Sequence, residues 1–546
     1  MKTSRIQIYS NLLCFIVSVY IIVAFNKSVF SFLYSNLDGN IGATACIIAV
    51  VFLLTYCLIL LFSAPYIIKP ALIFFITISA GSAYFIDEFG VLITPNMIEN
   101  AATTTRAESA HLITAHFIMW MLLYAGLPSL LIVWCKVLHR PFIQKLWVNT
   151  LVICGCLIVA IALTMFNFGT YSSLFREKKA EIMDRLNPLA PISSAIRYYV
   201  RLNNERTYVA APLGKDAVQL KPYREGDDKK RLTVIVVGET ARAQNFSFNG
   251  YQRDTNPQLR ARDVQYFTNT SSCGTETAVS VPCMFSPFPR TDYSSTKFRQ
   301  SENLLDVLKH AGIETLWFEN NTGSKRVSDR IETIDMVQDD NPNCADGECY
   351  DQVLVDALTS RIDKFTNNTV VVLHMLGSHG PAYYRRYPAD QEVFKPACRT
   401  SSFGDCTQQQ IINAYDNSIL YTDKILAEII DLLKSRESEY SSSMIYMSDH
   451  GESLGEKGLY LHAMPYFIAP VEQTHIPFVS WFSQDIMNED GYSASCLNKI
   501  TAEPASHDNL FHLILGLTAV KTSVYNQELD LFQRCRTKNT ASINVN

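Results

Sequence analysis

The chain has 546 residues, of which 48% are hydrophobic, and a formal net charge of -5. This length accommodates two or three domains, and the slightly acidic balance gives no sign of a nucleic-acid-binding function. The mean hydropathy of +0.06 conceals two unlike parts, because residues 1–170 are strongly apolar and the remainder has the composition of a globular domain.

Five apolar runs in the first part are long enough to cross a bilayer. They cover residues 7–25, 43–63, 67–86, 112–134 and 148–168. The first run lacks a small-residue cleavage site, so we expect an anchor and not a signal peptide. Basic residues precede the first run and separate the fourth from the fifth: Lys2, Arg5, Lys136, Arg140 and Lys145. The positive-inside rule then puts the C-terminal part outside the cytoplasm, which is the periplasm in a bacterium.

A polar loop at residues 87–111 lies on the same outer side. It carries Asn100, Thr104 and Glu108 at spacing i, i+4 and i+8, which predicts one stripe of a helix. Two interpretations stay open, a solvated loop helix or a contact with a lipid headgroup. Residues 171–230 then combine aromatic with basic side chains, which predicts one or two membrane-surface helices and a charged linker.

Three apolar strands in residues 231–546 end at side chains that bind metals. The strand at 232–237 precedes Glu239, the strand at 369–373 precedes His374 and His379, and the strand at 444–447 precedes Asp449 and His450, with His462 further on. Helical segments alternate with these strands, which predicts an α/β sandwich around a mostly parallel sheet. The carboxyl edge of such a sheet gathers ligands, and carboxylate and imidazole are ordinary ligands of Zn²⁺.

The segment that begins at Cys273 supplies a candidate nucleophile. Thr277 lies inside the loop that a disulfide from Cys273 to Cys283 would close, and a bound Zn²⁺ would favour the alkoxide of its hydroxyl. The alternative is an ordinary helix cap, a part that Thr275 could also play. Closely paired cysteines in this half are typical of an oxidising compartment.

Four segments of the second part form a recognisable set: VGETAR at 237–242, SCGTETAVSVPCMF at 272–285, HGPAY at 379–383 and SDHGESLGE at 448–456. Together they resemble the lipid A phosphoethanolamine transferases, inner-membrane enzymes of the alkaline phosphatase/sulfatase superfamily that include the colistin-resistance enzymes. The resemblance covers the whole chain. It implies a transmembrane domain of five helices at 1–170, interfacial helices and a linker at 171–230, and a periplasmic catalytic α/β sandwich of the alkaline phosphatase/sulfatase type at 231–546.

The resemblance also implies the site residues. One tightly bound Zn²⁺ would be held by Glu239, Thr277, Asp449 and His450, with Thr277 as the nucleophile. His379 and His462 would bind the phosphate group or a second, weaker zinc. Substrate-binding roles fall on Lys325 and Asn321, and donor-headgroup roles on Asn100, Thr104 and Glu108. His374 is expected to be a core histidine or a histidine behind the ligands.

Two features depart from the family pattern or leave alternatives open. Glu276 could contact the ethanolamine ammonium, disturb the charge balance of the zinc site, or face solvent. The expected disulfides use Cys273, Cys283, Cys344, Cys349, Cys398 and Cys406, and the pairing of Cys496 with Cys535 stays open.

The implied reaction transfers phosphoethanolamine from phosphatidylethanolamine to a lipid A phosphate through a modified Thr277, in a monomeric enzyme. Less negative lipid A would give resistance to polymyxin, colistin and other cationic peptides. Transfer to a core sugar (Kdo or heptose) and phosphoglycerol transfer are the alternatives. A sulfatase would need a Cys-x-Pro-x-Arg context, which neither Cys273 nor Cys283 has. A non-catalytic sensor disagrees with the complete set of candidate ligands.

Overall fold

The computed structural model describes residues 5–37, 39–104, 106–205, 208–220, 229–337 and 341–536. The chain forms two compact units. The N-terminal unit comprises Met1–Ala102 and Ile113–Leu202, and the C-terminal unit comprises Thr103–Leu112 and Asn203–Asn546. Part of the predicted outer loop therefore groups with the C-terminal unit. Residues 221–228 of the predicted linker lie outside the described residues, as does Lys2, one of the basic residues from which the topology was predicted.

Apolar helices make up most of the N-terminal unit. The described helices of the first 205 residues are α1 (Ser10–Phe25), α2 (Lys27–Asn36), α3 (Ile41–Leu61), α4 (Ile68–Phe89), α5 (Pro95–Thr103), α6 (Arg106–Leu112), α7 (Ala115–Met121), α8 (Leu127–Trp134), α9 (Phe142–Phe166), α10 (Phe168–Met183) and α11 (Leu189–Glu205). A π-helical turn at Leu122–Gly126 joins α7 to α8. Two short strands, β1 (Gln7–Tyr9) and β2 (Lys136–Leu138), pair in parallel.

Four helices in the described residues are long and apolar enough to span a membrane, namely α3, α4, α9 and the joined helix Ala115–Trp134. The pair α1 and α2 also passes this test but bends by 66°. Counted as one span, this pair completes the five predicted spans. The predicted start of the first span at residue 7 was wrong, because residues 7–9 form β1 and the helix begins at Ser10. An apolar run alone does not distinguish a short strand from the first turn of a helix.

Asn26 and Asn187 stabilise the bend between α1 and α2. The Asn26 amide donates to the carbonyls of Ile21 (3.1 Å) and Asn187 (3.2 Å). In return the Asn187 backbone N–H donates to Asn26 Oδ1 (2.9 Å), and its side-chain amide donates to the Phe25 carbonyl (2.8 Å). Both asparagines are buried. They form hydrogen bonds with backbone groups that would otherwise be unpaired at the helix break, so these two side chains specify the bend.

An eight-stranded sheet organises the C-terminal unit. The strands of this unit are β3 (Val218–Gln219), β4 (Lys230–Gly238), β5 (Gln265–Ser271), β6 (Glu314–Glu319), β7 (Glu332–Asp335), β8 (Cys344–Ala345), β9 (Glu348–Cys349), β10 (Thr369–His374), β11 (Tyr440–Ser448), β12 (Ser453–Leu454), β13 (Tyr460–Leu461), β14 (His475–Phe482), β15 (Ala505–Ser506) and β16 (Val520–Lys521). The main sheet has the order β15-β5-β14-β11-β4-β10-β6-β7. Only β14 runs antiparallel to its neighbours among these described strands.

Helices pack against both faces of this sheet. They are α12 (Pro257–Arg260), α13 (Thr277–Met284), α14 (Ser295–Arg299), α15 (Leu304–His310), α16 (Gln352–Ile362), α17 (Gln408–Ser435), α18 (Val471–Thr474), α19 (Gln484–Glu489), α20 (Ala494–Ile500) and α21 (Leu510–Leu517). One core joins alternate strand residues such as Ile235, Val372 and Ile445 to apolar side chains of α13, α15 and α21. The predicted α/β sandwich is confirmed.

The strand register brings three strand ends to one edge. Val237 of β4 pairs with both Met447 of β11 and His374 of β10. These strands are buried on both faces, which explains why their sequences are continuous apolar runs. The polar residues that follow β4 and β11 therefore converge, as the sequence predicted.

Four disulfides lie in the C-terminal unit: Cys273–Cys283, Cys344–Cys349, Cys398–Cys406 and Cys496–Cys535. The pairing of Cys496 with Cys535, which the sequence left open, is thus made. The free cysteines are Cys14, Cys46, Cys57, Cys135, Cys154 and Cys156, all in the N-terminal unit.

Replacement of Gly516 tests the packing of the C-terminal core. An added Cβ would lie 2.0 Å from Asp530 Oδ2, which belongs to a buried ion pair with Arg536. We expect Gly516→Ala to lower the free energy of unfolding by about 1–3 kcal/mol, because an overpacked core must shift. Thermal unfolding of the purified full chain measures this. Gly81→Ala, at a helical glycine with open space beside it, is the matched control, and an equal effect of both changes would contradict the packing argument.

Candidate active site

Glu239, Asp449 and His450 form a buried group at the carboxyl edge of the sheet. Each side chain is fully buried, and one potential ligand atom from each lies within 4.8 Å of the others. His450 Nε2 is 3.5 Å from Glu239 Oε1 and 3.3 Å from Asp449 Oδ2. Three of the four residues that the resemblance assigned to one metal are therefore brought together.

Thr277 joins this group from the first turn of α13. Its hydroxyl donates to Glu239 Oε2 at 3.1 Å and lies 3.5 Å from His450 Nε2. The Cys273–Cys283 disulfide closes the loop around it. Thr275 does not cap this helix, because its hydroxyl donates to the Met464 carbonyl at 2.6 Å. Thr277 is thus the buried hydroxyl that faces both a carboxylate and an imidazole.

The polar atoms of the group suit a cation. Asp449 Oδ1 accepts the backbone N–H groups of Thr240 (3.0 Å) and His450 (2.7 Å). Asp449 Oδ2 is buried and has no hydrogen-bond partner within the part of the chain that the structure describes. His450 Nδ1 lies 2.9 Å from the Gly451 carbonyl, so it carries the proton and leaves the lone pair of Nε2 toward the carboxylates. Several acceptors converge here, and a divalent cation would satisfy them.

The pKa values support the same conclusion. Burial and the nearby charge of Glu239 raise the pKa of Asp449. Burial also opposes ionisation of Glu239, but the imidazoles of His450, His379 and His462 outweigh it and lower the pKa of Glu239. Burial lowers the pKa of His450 to about 4, so its imidazole is neutral at physiological pH, the form that binds a metal. Without a cation, burial and the charge of Glu239 therefore favour the protonated form of Asp449.

Backbone strain accompanies this geometry. Thr240 has φ of +59° although it is not glycine. In this conformation its backbone N–H reaches Asp449 and its hydroxyl donates to Glu239 Oε1. Gly377, at φ of +52°, passes so close that an added Cβ would lie 2.6 Å from the Glu239 carbonyl. Strained conformations of this kind concentrate at functional sites.

His379 and His462 form a second group beside the first. The rings of His450 and His462 are 4.3 Å apart, and those of His379 and His462 are 6.0 Å apart. His462 Nδ1 lies 2.8 Å from Glu452 Oε2, and the Tyr383 hydroxyl donates to Glu452 Oε1 at 2.5 Å. Burial raises the pKa of Glu452 to about 8. Glu452 lies two residues after His450, but no role was predicted for it from the sequence.

His507 is a second residue that the sequence analysis missed. Its Nδ1 accepts the Cys273 N–H at 3.0 Å, and its Nε2 lies 2.9 Å from the Ser448 carbonyl. Burial lowers the pKa of His507 to about 4, so the ring is neutral and can accept at one nitrogen and donate at the other. It links the loop before Thr277 to the strand end before Asp449. No local sequence signal marked it, because both partners are distant in the chain.

The remaining predicted residues have different surroundings. Lys325 Nζ donates to the carbonyl (2.8 Å) and the hydroxyl (2.9 Å) of Thr322. Lys325 and Arg326 both have positive φ, 49° and 73°, so a strained turn presents the lysine. Asn321 donates to Glu239 Oε2 at 2.8 Å. Glu276 is 7% exposed, which excludes the solvent-facing alternative.

The predicted stripe of Asn100, Thr104 and Glu108 is not on one helix. The helix α5 ends at Thr103 and α6 begins at Arg106. Asn100 belongs to the N-terminal unit and Thr104 to the C-terminal unit, and the Glu108 side chain lies outside the described residues. The i, i+4 spacing did not reveal this break. Their predicted headgroup role stays a prediction.

A buried acid–histidine group beside a threonine, at the carboxyl edge of a mostly parallel sheet, is typical of transferase and hydrolase domains that use a metal, and here it accompanies a unit of apolar helices long enough to span a membrane. Known proteins agree. The family described as Sulfatase matches residues 231–520, and the family Phosphoethanolamine transferase EptA/EptB matches residues 50–202.

Relatives of known type resemble the chain over most of its length. Phosphoethanolamine transferase EptA of Salmonella typhimurium is 39% identical over 532 residues, 96% of each chain. Phosphatidylethanolamine transferase Mcr-1 of Escherichia coli is 39% identical over 438 residues, 77% of this chain and 80% of the relative. The structure of the integral membrane protein lipooligosaccharide phosphoethanolamine transferase A (EptA) from Neisseria meningitidis matches with a TM-score of 0.92 at 34% identity, covering 98% of this chain and 100% of that chain.

The chain therefore belongs to the EptA family of phosphoethanolamine transferases. It is an enzyme of the bacterial inner membrane, with several membrane-spanning helices and its catalytic domain in the periplasm. The predicted membership of the alkaline phosphatase/sulfatase superfamily is confirmed by the Sulfatase match.

Metal affinity should rise with pH. Because Asp449 has a raised pKa when no cation is bound, a cation must displace a proton to bind, and each displaced proton strengthens apparent affinity by about tenfold per pH unit. Competition of the purified chain with a chromogenic chelator, from mildly acidic to mildly alkaline pH, measures this. Asp449→Asn should bind more weakly and with a flatter pH dependence. If the metal affinity of the parent chain did not change with pH, the displacement of a proton from Asp449 by the cation would be contradicted.

Proposed function

We propose that this enzyme transfers phosphoethanolamine from phosphatidylethanolamine to a lipid A phosphate through a Thr277-bound intermediate, acting as a monomer with zinc. The observation that carries the proposal is the buried Thr277 hydroxyl, 3.1 Å from Glu239 and 3.5 Å from His450. Two relatives are named as phosphoethanolamine transferases, and a third is named as a phosphatidylethanolamine transferase. A lipooligosaccharide acceptor is named for the Neisseria protein.

The donor atoms favour zinc over a hard cation. Glu239, Asp449 and His450 would hold it together with Thr277, and an imidazole nitrogen in the set selects zinc over magnesium or calcium. When bound, Zn²⁺ lowers the pKa of a neighbouring hydroxyl and neutralises negative charge on phosphoryl oxygens. A second, weaker zinc or the substrate phosphate would use His379 and His462.

The first half-reaction modifies Thr277. Its oxygen attacks the phosphorus of phosphatidylethanolamine and loses its proton, while the bond from phosphorus to the diacylglycerol oxygen breaks. The leaving oxygen takes up a proton, for which His462 is suited, because Glu452 fixes its Nδ1 and so orients the ring. Lys325 and His379 would contact the phosphoryl oxygens as cationic or hydrogen-bonding groups.

The second half-reaction restores Thr277. A phosphate oxygen of lipid A attacks the same phosphorus, the bond to the Thr277 oxygen breaks, and that oxygen regains a proton. The product carries an ethanolamine ammonium that offsets a negative charge of lipid A. Cationic peptides such as polymyxin and colistin would then bind the cell surface less strongly.

Removal of the nucleophile tests the chemistry. Thr277→Ala should abolish transfer, a loss of at least about 10³-fold, because the oxygen that forms the covalent bond is gone. Mass spectrometry of lipid A from cells that produce the variant measures the phosphoethanolamine increment. Thr296→Ala, at an exposed threonine of α14, is the control and should modify lipid A as the parent does. Persistent modification by Thr277→Ala would overturn the covalent mechanism.

Donor, metal and acceptor can be tested with the parent chain. Incubation with phosphatidylethanolamine and no acceptor should leave phosphoethanolamine on the tryptic peptide that contains Thr277, and a chelator should prevent this until zinc is restored. Fractionation of the cellular product into lipid A and core sugars then identifies the acceptor. An increment on Kdo or heptose alone would favour the core-sugar alternative, and polymyxin susceptibility should fall only where lipid A is modified.

A further inference from the structure

Glu319 is a buried carboxylate that the reaction above does not use. It ends strand β6 and is 6% exposed. It accepts hydrogen bonds from Trp317 Nε1 (2.8 Å), from His374 Nδ1 (2.9 Å) and from the backbone N–H groups of Asn321 (2.7 Å) and Gly323 (3.2 Å). Burial opposes its ionisation, but the neighbouring His374 imidazole and these donors lower the pKa of Glu319. A buried carboxylate with four donors organises its surroundings.

Two of these donors belong to the turn that follows β6. Glu319 therefore fixes the backbone of Asn321 and Gly323. His374 supports the same arrangement from β10, where it pairs in register with Glu319. With the proton on Nδ1 toward Glu319, His374 Nε2 is an acceptor, and it lies 3.5 Å from Asn321 Nδ2. These contacts agree with one of the two roles predicted for His374, that of a histidine behind the ligands.

Asn321 connects this turn to Glu239. Its side-chain nitrogen donates to Glu239 Oε2 (2.8 Å) and to the Met375 carbonyl (2.9 Å). Its side-chain oxygen accepts the Thr322 N–H at 2.8 Å. Both ends of the amide are used by the protein, and the substrate-binding role expected from the sequence stays a prediction. The orientation of Glu239 thus depends on Asn321, and that of Asn321 on Glu319.

We infer that Glu319 and Asn321 are positioning residues for the metal centre: Glu319 holds the turn, and the turn holds the Asn321 amide on the Glu239 carboxylate. This inference rests on the proposed role of Glu239 as a zinc ligand. A ligand carboxylate whose second oxygen is held by a fixed donor loses less freedom when it binds a metal, and removal of such a partner typically weakens metal binding about 10–100-fold.

The test uses the purified full chain and its variants Asn321→Ala and Glu319→Gln. Apparent zinc affinity is measured by competition with a chelator, and the coordination geometry by the visible absorption spectrum of the cobalt-substituted protein. We expect zinc binding about 10–100-fold weaker than that of the parent in each variant, with a changed cobalt spectrum. The double variant should resemble Asn321→Ala alone, because Glu319 acts through Asn321.

Asp423→Asn is the matched control. Asp423 is also a fully buried carboxylate that accepts two backbone N–H groups, those of Gln258 and Leu259, but it has no contact with the metal group among the described residues. Its replacement should leave the zinc affinity and the cobalt spectrum at parent values even if it lowers the thermal midpoint. Asn321→Ala keeps the inference testable if Glu319→Gln fails to fold.

The outcomes separate this inference from the proposed function. Parent-like zinc affinity and cobalt spectrum in Asn321→Ala would overturn the positioning role while leaving the zinc centre intact. A lower thermal midpoint with unchanged zinc affinity would show a structural role only, and would overturn it equally. A parent chain that binds no zinc would instead overturn the proposed metal centre, and the positioning role with it.

Discussion

The site depends on the burial of two carboxylates that face each other. Glu239 and Asp449 are both fully buried, and the charge of Glu239 disfavours ionisation of Asp449 in a medium of low dielectric constant. Asp449 Oδ1 accepts two backbone hydrogen bonds, whereas Asp449 Oδ2 has no hydrogen-bond partner in the described part of the chain. The strained Thr240, the closely packed Gly377 and the neutral His450 all contribute to this arrangement, which a divalent cation would complete.

The contrast with other buried polar groups is informative. The Asn26 amide and the N–H donors of Asn187 are paired with each other and with the bent backbone around them in the N-terminal unit. Glu319 satisfies a turn in the C-terminal unit. Buried polar groups are generally paired within the protein, and Asp449 Oδ2 differs from other unpaired buried oxygens, such as Asn187 Oδ1, because it lies beside a second carboxylate and an imidazole.

The sequence predicted elements whose signals are local. Strands β4, β10 and β11 were recognisable because burial on both faces requires continuous apolar residues, and their ends were recognisable because polar residues follow at once. The family resemblance then supplied roles for the residues it matched. His507 was missed because both of its partners are distant in the chain. Glu452 was missed although its partner His462 is only ten residues away, because spacing alone does not show which side chains meet. Strand β1 and the break between α5 and α6 were missed because apolar content and i, i+4 spacing do not report backbone geometry.

The position of His507 has a consequence for how the protein is made. Its two partners, Cys273 and Ser448, lie 234 and 59 residues before it. A chain that crosses the membrane from its N-terminus therefore exports Glu239, Thr277, Asp449 and His450 before the residue that ties their loops together. Closure of such long loops costs entropy that only the assembled sheet repays. We therefore expect the group of Glu239, Thr277, Asp449 and His450 to be completed late in folding, after nearly the whole catalytic domain has reached the periplasm.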